Sequence, residues 1–441
     1  MTRFLPAFAI LIALAAPAAA SAQEYVPGEV VVRYEDGTTR AERAATQAAT
    51  GTGTQDITAP QARVLDVEDG ESVAETVQEL RDRPDVEYAA PNMIARAAGF
   101  FPNDPGKGSA GDWKSIQWNF LADAGVNAPD AWSNARAAKA PGARGVTIAV
   151  LDTGVAYANR GRYRRAPDLA KTRFIGGYDF VGKDDEPFDQ NGHGTFVTGI
   201  LAQSTDNGTG VAGLAYRARI MPVRVLDSRG EGSATAIERG IRFAVRKKVP
   251  VINLSLEFGT DVRASEIPGI IDAIRDANKA GLVMVAASGN EGERTIAYPA
   301  RAAQVIAVGA TTENKCLADY SNGGTGLDLV APGGGPDANL SSDPNCKPFA
   351  GGGREIVQQT FKGSTVRRFG LRTEEGTSMA SPHVAAAAAF VIATRTAGVS
   401  PSPAAVEQRL EATARDLGTP GFDASYGAGL LDLAAATSPS S

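Results

Sequence analysis

The chain opens with an apolar run, Phe4 to Ala20, behind one early cation, Arg3. Beyond it the pattern breaks into short mixed segments. "EVVVRYEDG" alternates apolar and polar positions as a half-buried strand does, "ESVAETVQELRDRP" repeats at helical spacing until Pro84 stops it, and "DVEYAAPN" is another short strand. These predict a small α+β unit from Tyr25 to about Arg96. "GFFPNDPGKGSAGDW" then strings turn formers together with no apolar period, which marks a linker.

From Gly145 onward the runs are longer and apolar throughout: "VTIAVLD", "RIMPVRVLD", "VPVINLSL", "LVMVAAS" and "VIAVGAT", with amphipathic or alanine-rich helical stretches between several of them. A strand buried on both faces has no polar side to alternate with. The pattern therefore predicts an α/β architecture, a mostly parallel central sheet with helices on both faces. In such sheets ligands and reacting groups collect at the carboxyl ends of the strands.

The N-terminal run has the charged start, apolar middle and Ala20-Ser21-Ala22 end of a secretory signal, so residues 1–22 are expected to be removed. Pro6, Pro17 and its short length argue against a membrane anchor, and no later segment reads as a span. Export bears on Cys316 and Cys346. They are either a disulfide or two buried thiols, and an oxidising compartment favours the disulfide. The rest is compact and turn-rich, with 49 glycines and 43% hydrophobic residues in a chain of 441. The net charge of -6 is spread along it and supports solubility, with no phosphate-binding patch and no sign of nucleic-acid binding.

Three stretches carry candidate chemistry. "VTIAVLDTGV" puts Asp152 at the end of a buried strand, as a turn cap or as a site carboxylate. "NGHGTFVTGIL" sets His193 between glycines that allow close backbone approach. "GTSMASPHVAAAAAF" offers two serines and the only other histidine, His383. On a helix five residues advance about 500°, so His383 points well away from Ser378 and reads as a buried, hydrogen-bonded structural side chain. Pro382 suits only a first helical turn, so the helix is expected to begin near Thr377 or Ser378. That places Ser378 at the positive helix end, where free N–H groups favour developing negative charge, and leaves Ser381 for packing or capping.

These three motifs, in the order Asp, His, Ser, resemble the subtilisin-like serine proteases, and the resemblance runs from about Phe101 to Ala436. It implies Ser378 as nucleophile, His193 as general base and then acid, and Asp152 as the group that orients the imidazole. Asn290 in "VAASGNEG" matches the family's oxyanion asparagine. "NLSLEFG" and "DSRGEGS" match the segments that flank a bound peptide. By that match Ser255, Leu256, Ala287, Ser288 and Gly289 wall the primary specificity pocket, Ala297 lies near its base, and Gly230 and Gly232 form the opposite rim, with room for a large apolar side chain. Phe196 stands where a second histidine is common, and Glu257 where glycine is usual. Glu257 and Glu231 border the cleft and imply a preference for Lys or Arg near the scissile bond. An Arg-rich insertion at 156–167 and a long loop at 333–370 read as surface elaborations.

The resemblance also implies structural calcium, with Asp168 and Asn207 as ligands and Asp104 a further candidate, and no organic cofactor. The small N-terminal unit resembles the family's inhibitory propeptide, a ferredoxin-like α+β fold. The expected organisation is a signal peptide at 1–22, a propeptide at 23–97 that assists folding and blocks the cleft, and a catalytic domain at 98–441, released by self-cleavage between Asn92 and Gly99. The expected protein is a secreted, extracellular or periplasmic monomer whose partners are protein or peptide substrates and its own propeptide, with no membrane contact after the signal is removed. An esterase with the same triad is the alternative enzyme, though G-x-S-x-G is missing. An inert binding module is the alternative class, though no triad residue is lost.

Overall fold

The computed structural model describes residues 25–67, 72–93, 99–348, 353–363 and 365–439. The expected signal peptide lies outside them, as does most of the expected self-cleavage segment. The chain divides into two compact units, Met1–Ala97 and Ala98–Ser441.

The first unit runs β1 (Tyr25–Tyr34), α1 (Arg40–Ala49), β2 (Thr52–Ala59), β3 (Ala62–Val67), α2 (Val73–Arg81) and β4 (Val86–Met93). All strand pairs are antiparallel, in the order β2-β3-β1-β4, the ferredoxin-like arrangement. Val30, Val32, Tyr34, Leu65, Val77 and Leu80 form its core. α1, β2 and β3 were not expected from the sequence. α1 buries only Thr46 and β2 is exposed along nearly all its length, so neither carries the apolar period that betrays an element. A capping box, Thr39 with Glu42, starts α1 instead.

The second unit begins with α3 (Ala128–Ala137), β5 (Thr147–Asp152), the short β6 (Arg173–Phe174) and β7 (Tyr178–Asp179), and α4 (His193–Ala202). β8 (Arg219–Arg224), α5 (Ala234–Arg246), β9 (Val251–Leu254), α6 (Pro268–Lys279), β10 (Val283–Ala287), β11 (Ile306–Thr311) and β12 (Leu329–Pro332) follow. A hairpin, β13 (Ile356–Phe361) and β14 (Phe369–Glu374), leads into α7 (Thr377–Thr394), and α8 (Pro403–Ala412) and α9 (Leu433–Thr437) close the chain. The sheet order is β12-β11-β10-β9-β5-β8-β6, with β7 also on β8, and every named strand pair in it is parallel.

β5 shows how the layers form. Ile148 and Val150 face the cluster that takes in α3, α4, α7, α8 and α9, whereas Ala149 and Leu151 face α5 and α6. Both faces are thus covered, which is why the strand reads as an unbroken apolar run. Cys316 and Cys346 are joined by a disulfide.

Two expectations need correction. α7 does start at Thr377, but Pro382 is its sixth residue and lies beyond the first turn. Proline there leaves the Ser378 carbonyl without its helical donor, and Ser255 Oγ–H takes that place at 2.8 Å. α7 is also long and apolar enough to cross a membrane, contrary to the reading of no later span. Its apolarity is that of a core helix, since nearly all of its side chains from Met379 to Val391 are buried against the sheet and neighbouring helices.

Candidate active site

The carboxyl edge of the sheet gathers three side chains that are remote in sequence. Asp152, fully buried, is the last residue of β5, and its Oδ1 accepts the Thr153 N–H at 2.6 Å and His193 Nδ1–H at 2.8 Å. His193 is the first residue of α4. Gly192 before it has φ 120°, and a Cβ on Gly194 after it would lie 2.2 Å from Gly154 O, so both flanks need glycine. Beneath them sits Asp189, which no sequence pattern had singled out. Its buried carboxylate accepts from Thr153 Oγ1, from the Asn191, Gly192 and Thr195 N–H groups and from Thr195 Oγ1, tying the β5 turn to the start of α4. Burial pushes its own pKa up against those bonds.

His193 is under opposed influences. Burial disfavours its imidazolium, but the charge and hydrogen bond of Asp152, with Glu374 and Asp189 behind, outweigh burial and raise its pKa to about 9. Glu374 ends β14, four residues before Ser378, and burial raises its pKa in turn. The long loop at 333–370 is thus more than surface elaboration. Its hairpin carries Glu374 toward the imidazole, and Thr360 Oγ1–H on β13 donates to Gly192 O at 2.6 Å.

Ser378 stands in the first turn of α7, where its N–H has no intrahelical acceptor. Its hydroxyl donates to Ser255 O at 3.4 Å. Gly376 is fixed by Tyr320, whose Oη accepts the Gly376 N–H at 2.9 Å and donates to Gly334 O at 2.7 Å. The Asn290 amide is oriented by its neighbours, because Oδ1 accepts both the N–H and the Oγ1–H of Thr377, at 2.8 and 3.0 Å. Its Nδ2 then turns toward Glu257 Oε1, at 3.1 Å.

A cavity of about 630 Å³ opens between His193 and Ser378 and does not reach Asn290 or Asp152. His193, Ser378, Ser255, Leu256, Glu257, Gly230, Glu231 and Gly232 all line it. Ala287, Ser288, Gly289 and Ala297 are buried and do not line it, but β10 runs beside β9 at Ala286↔Leu254 and the Gly289 N–H donates to Thr377 Oγ1, next to Ser378. Glu231 is exposed and pairs with Arg229 at 2.9 Å. Phe196 is buried in the core on α4. His383 is buried too, its Nδ1–H given to Met379 O at 2.8 Å and its Nε2 accepting from Asn119 Nδ2 at 2.9 Å, and burial lowers its pKa to about 4. It is neutral and structural.

Asp168 and Asp104 are fully buried, and neither has a cationic side-chain partner among the described residues. Burial raises the pKa of Asp168 to about 7, with Asp104 adding to the rise. Asn207 donates to Asp168 Oδ1 at 2.8 Å, and Asp104 accepts the Asp206 and Asn207 N–H groups. Two desolvated carboxylates with an amide beside them fit a hard divalent cation. Elsewhere Asp328, Glu407 and Glu411 bring one oxygen each within 4.8 Å of one another, a second acidic group that could hold a metal.

A carboxylate, an imidazole and a serine at the edge of a parallel sheet define a class, the serine hydrolases built on such sheets. Residues 143–429 match the Subtilase family, and residues 13–92 match the Fervidolysin N-terminal prodomain. The chain is 35% identical to a thermophilic serine proteinase of a Bacillus species over 409 residues, 91% of this chain and 86% of that one. It is 38% identical to subtilisin Savinase of Lederbergia lenta over 293 residues, 66% of this chain and 91% of that one. A solved protease of Pseudoalteromonas arctica superposes with a TM-score of 0.61 at 30% identity, covering 77% of this chain and 99% of that one. The chain belongs to the subtilase family: it is a subtilisin-like serine endopeptidase preceded by a prodomain.

Proposed function

We propose that this protein is a secreted endopeptidase, made as a self-processing zymogen, that cleaves peptide bonds through Ser378, His193 and Asp152. The observation that carries the assignment of residues is the 2.8 Å bond from His193 Nδ1 to buried Asp152, in a site whose cavity His193 shares with Ser378. With Nδ1–H held by Asp152, Nε2 is the free base. The Ser378 hydroxyl turns from Ser255 O to Nε2, loses its proton there and attacks the scissile carbonyl. The tetrahedral oxyanion takes hydrogen bonds from Asn290 Nδ2 and the Ser378 N–H, and the protonated imidazole then gives its proton to the leaving amine.

The signal at 1–22 supports secretion, and the prodomain supports inhibition and cleavage near residue 98. Asp168, Asn207 and Asp104 would hold a structural calcium ion, which neutralises buried carboxylates and takes no part in the reaction. The test is a fluorophosphonate probe. It should label Ser378 in the processed protein and fail to label His193→Ala, and equal labelling of both would sink the assignment.

A further inference from the structure

One carboxylate stands where the proposed mechanism least needs it. Glu257 lines the cavity beside Ser378, and its Oε1 holds the Asn290 Nδ2 donor at 3.1 Å. Its other oxygen, Oε2, is buried and has no hydrogen-bond partner. When ionised, this group competes for the oxyanion amide and repels the charge that the amide must stabilise. An orphaned carboxylate oxygen at a substrate cavity needs a donor, and among the described residues no basic side chain pairs with Glu257. A substrate cation answers both needs by drawing the buried Oε2 out toward the cavity, where it gains a donor and the oxyanion is screened from the carboxylate. Ammonium and guanidinium groups have the charge and the donors for this.

We propose that Glu257 selects substrates with Lys or Arg just before the scissile bond, by withholding the oxyanion amide until a substrate cation engages its carboxylate. This rests on the function proposed above. The test compares kcat/KM for peptides that differ only in Lys, Arg, Leu or Phe at that position. The wild type should favour the basic residues by 10-fold or more, and Glu257→Gln and Glu257→Gly should abolish the preference. Both variants should also raise kcat on the Leu peptide, since the amide is freed of a competing charge. An unchanged preference in an active, probe-labelled enzyme overturns this inference alone. An unlabelled, inactive wild type overturns the proposed function with it.

A second site rests on different observations. Residues scattered along the sequence, Arg136, Arg144, Lys171, Arg173 and Arg217, converge on one cavity of about 480 Å³, against a single carboxylate, Asp206. None of the five has an ion-pair partner among the described residues, and the chain around them carries a net charge of -6. The rest of the lining adds donors. Tyr216 Oη is buried beside Arg136, which stacks 3.5 Å over the Phe100 ring, and Ser204 Oγ accepts the Lys171 N–H and leaves its own proton unassigned. Mutual repulsion among five cations favours an anion with several charges over a single carboxylate, and guanidinium forks match phosphate oxygens.

Against the sequence reading of no phosphate-binding patch and no membrane contact, the structure assigns this cavity to a ligand bearing linked or clustered phosphate groups, free in solution or displayed on an anionic lipid surface. Titration calorimetry of the full chain with sodium tripolyphosphate tests the first source, and co-sedimentation with phosphatidic-acid vesicles the second. Binding by either, weakened 10-fold or more in Arg144→Ser/Arg217→Ser and by raised salt, supports the site. Probe labelling of Ser378 should not change in that variant. Binding to neither, or binding that the double variant leaves intact, overturns it.

Discussion

At His193 two opposed effects meet, and their balance sets the working pH. The proposed base must be neutral to act, so kcat/KM should climb with pH until the imidazole has lost its proton, near pH 9. Glu374→Gln removes one of the charges that hold that proton, and the rising limb should move to lower pH. A profile unmoved by Glu374→Gln would show that Asp152 outweighs it entirely. The same raised pKa favours the fold below about pH 6.5, and the contribution is lost as pH rises through about 9. In the proposed mechanism Asn290 acts on charge that exists chiefly in the transition state. Asn290→Ala should lower kcat by about 10²- to 10³-fold, the magnitude established for losing this donor in subtilisin, with KM nearly unchanged. A loss confined to KM would mean that the amide binds substrate instead. Asp152, His193 and Ser378 stand in strand-end or glycine-flanked motifs that the sequence displays, whereas Asn290 was reached only through the family resemblance. Asp189 was not legible, because its task is to accept five hydrogen bonds that the folded chain alone creates.

At the scale of elements, α7 shows a rule reaching the right boundary by a faulty premise. Proline suits a first helical turn, yet Pro382 sits sixth, and Ser255 makes good the hydrogen bond it removes. Ser255 therefore supports the helix that presents Ser378. Ser255→Ala leaves the Ser378 carbonyl without that donor and should cost about 1–3 kcal/mol, read as a lower midpoint in thermal unfolding of the probe-inhibited protein. An unchanged midpoint would mean that the carbonyl finds another partner. The hairpin β13–β14 was hidden in a glycine-rich stretch that reads as loop. Its pairing is antiparallel from Ile356↔Glu374 to Phe361↔Phe369, and it braces Gly192 from one strand while ending at Glu374 on the other.

For the whole molecule, a parallel sheet is a set of non-local pairings, which fold slowly and gain from a preformed partner surface. On the proposed reading, that is what the prodomain matched at residues 13–92 would supply. If processing is the enzyme's own act, Ser378→Ala should accumulate as a signal-cleaved precursor with residues 23 to 98 still attached, measurable by intact mass. Efficient trimming of the purified variant would count against self-processing. The parallel sheet and its covering helices were readable in advance, since burial on both faces leaves an uninterrupted apolar run in each strand. The motifs were readable too, because special backbone geometry demands particular residues at fixed spacings. The convergences were not. Glu257 against the Asn290 amide, Glu374 toward His193 and five cations around one cavity join residues from tens of positions to 181 positions apart, and no local pattern records them. Linear order carries the period of each element and the residues its turns require; which charges become neighbours depends on how strands and loops are brought together in space.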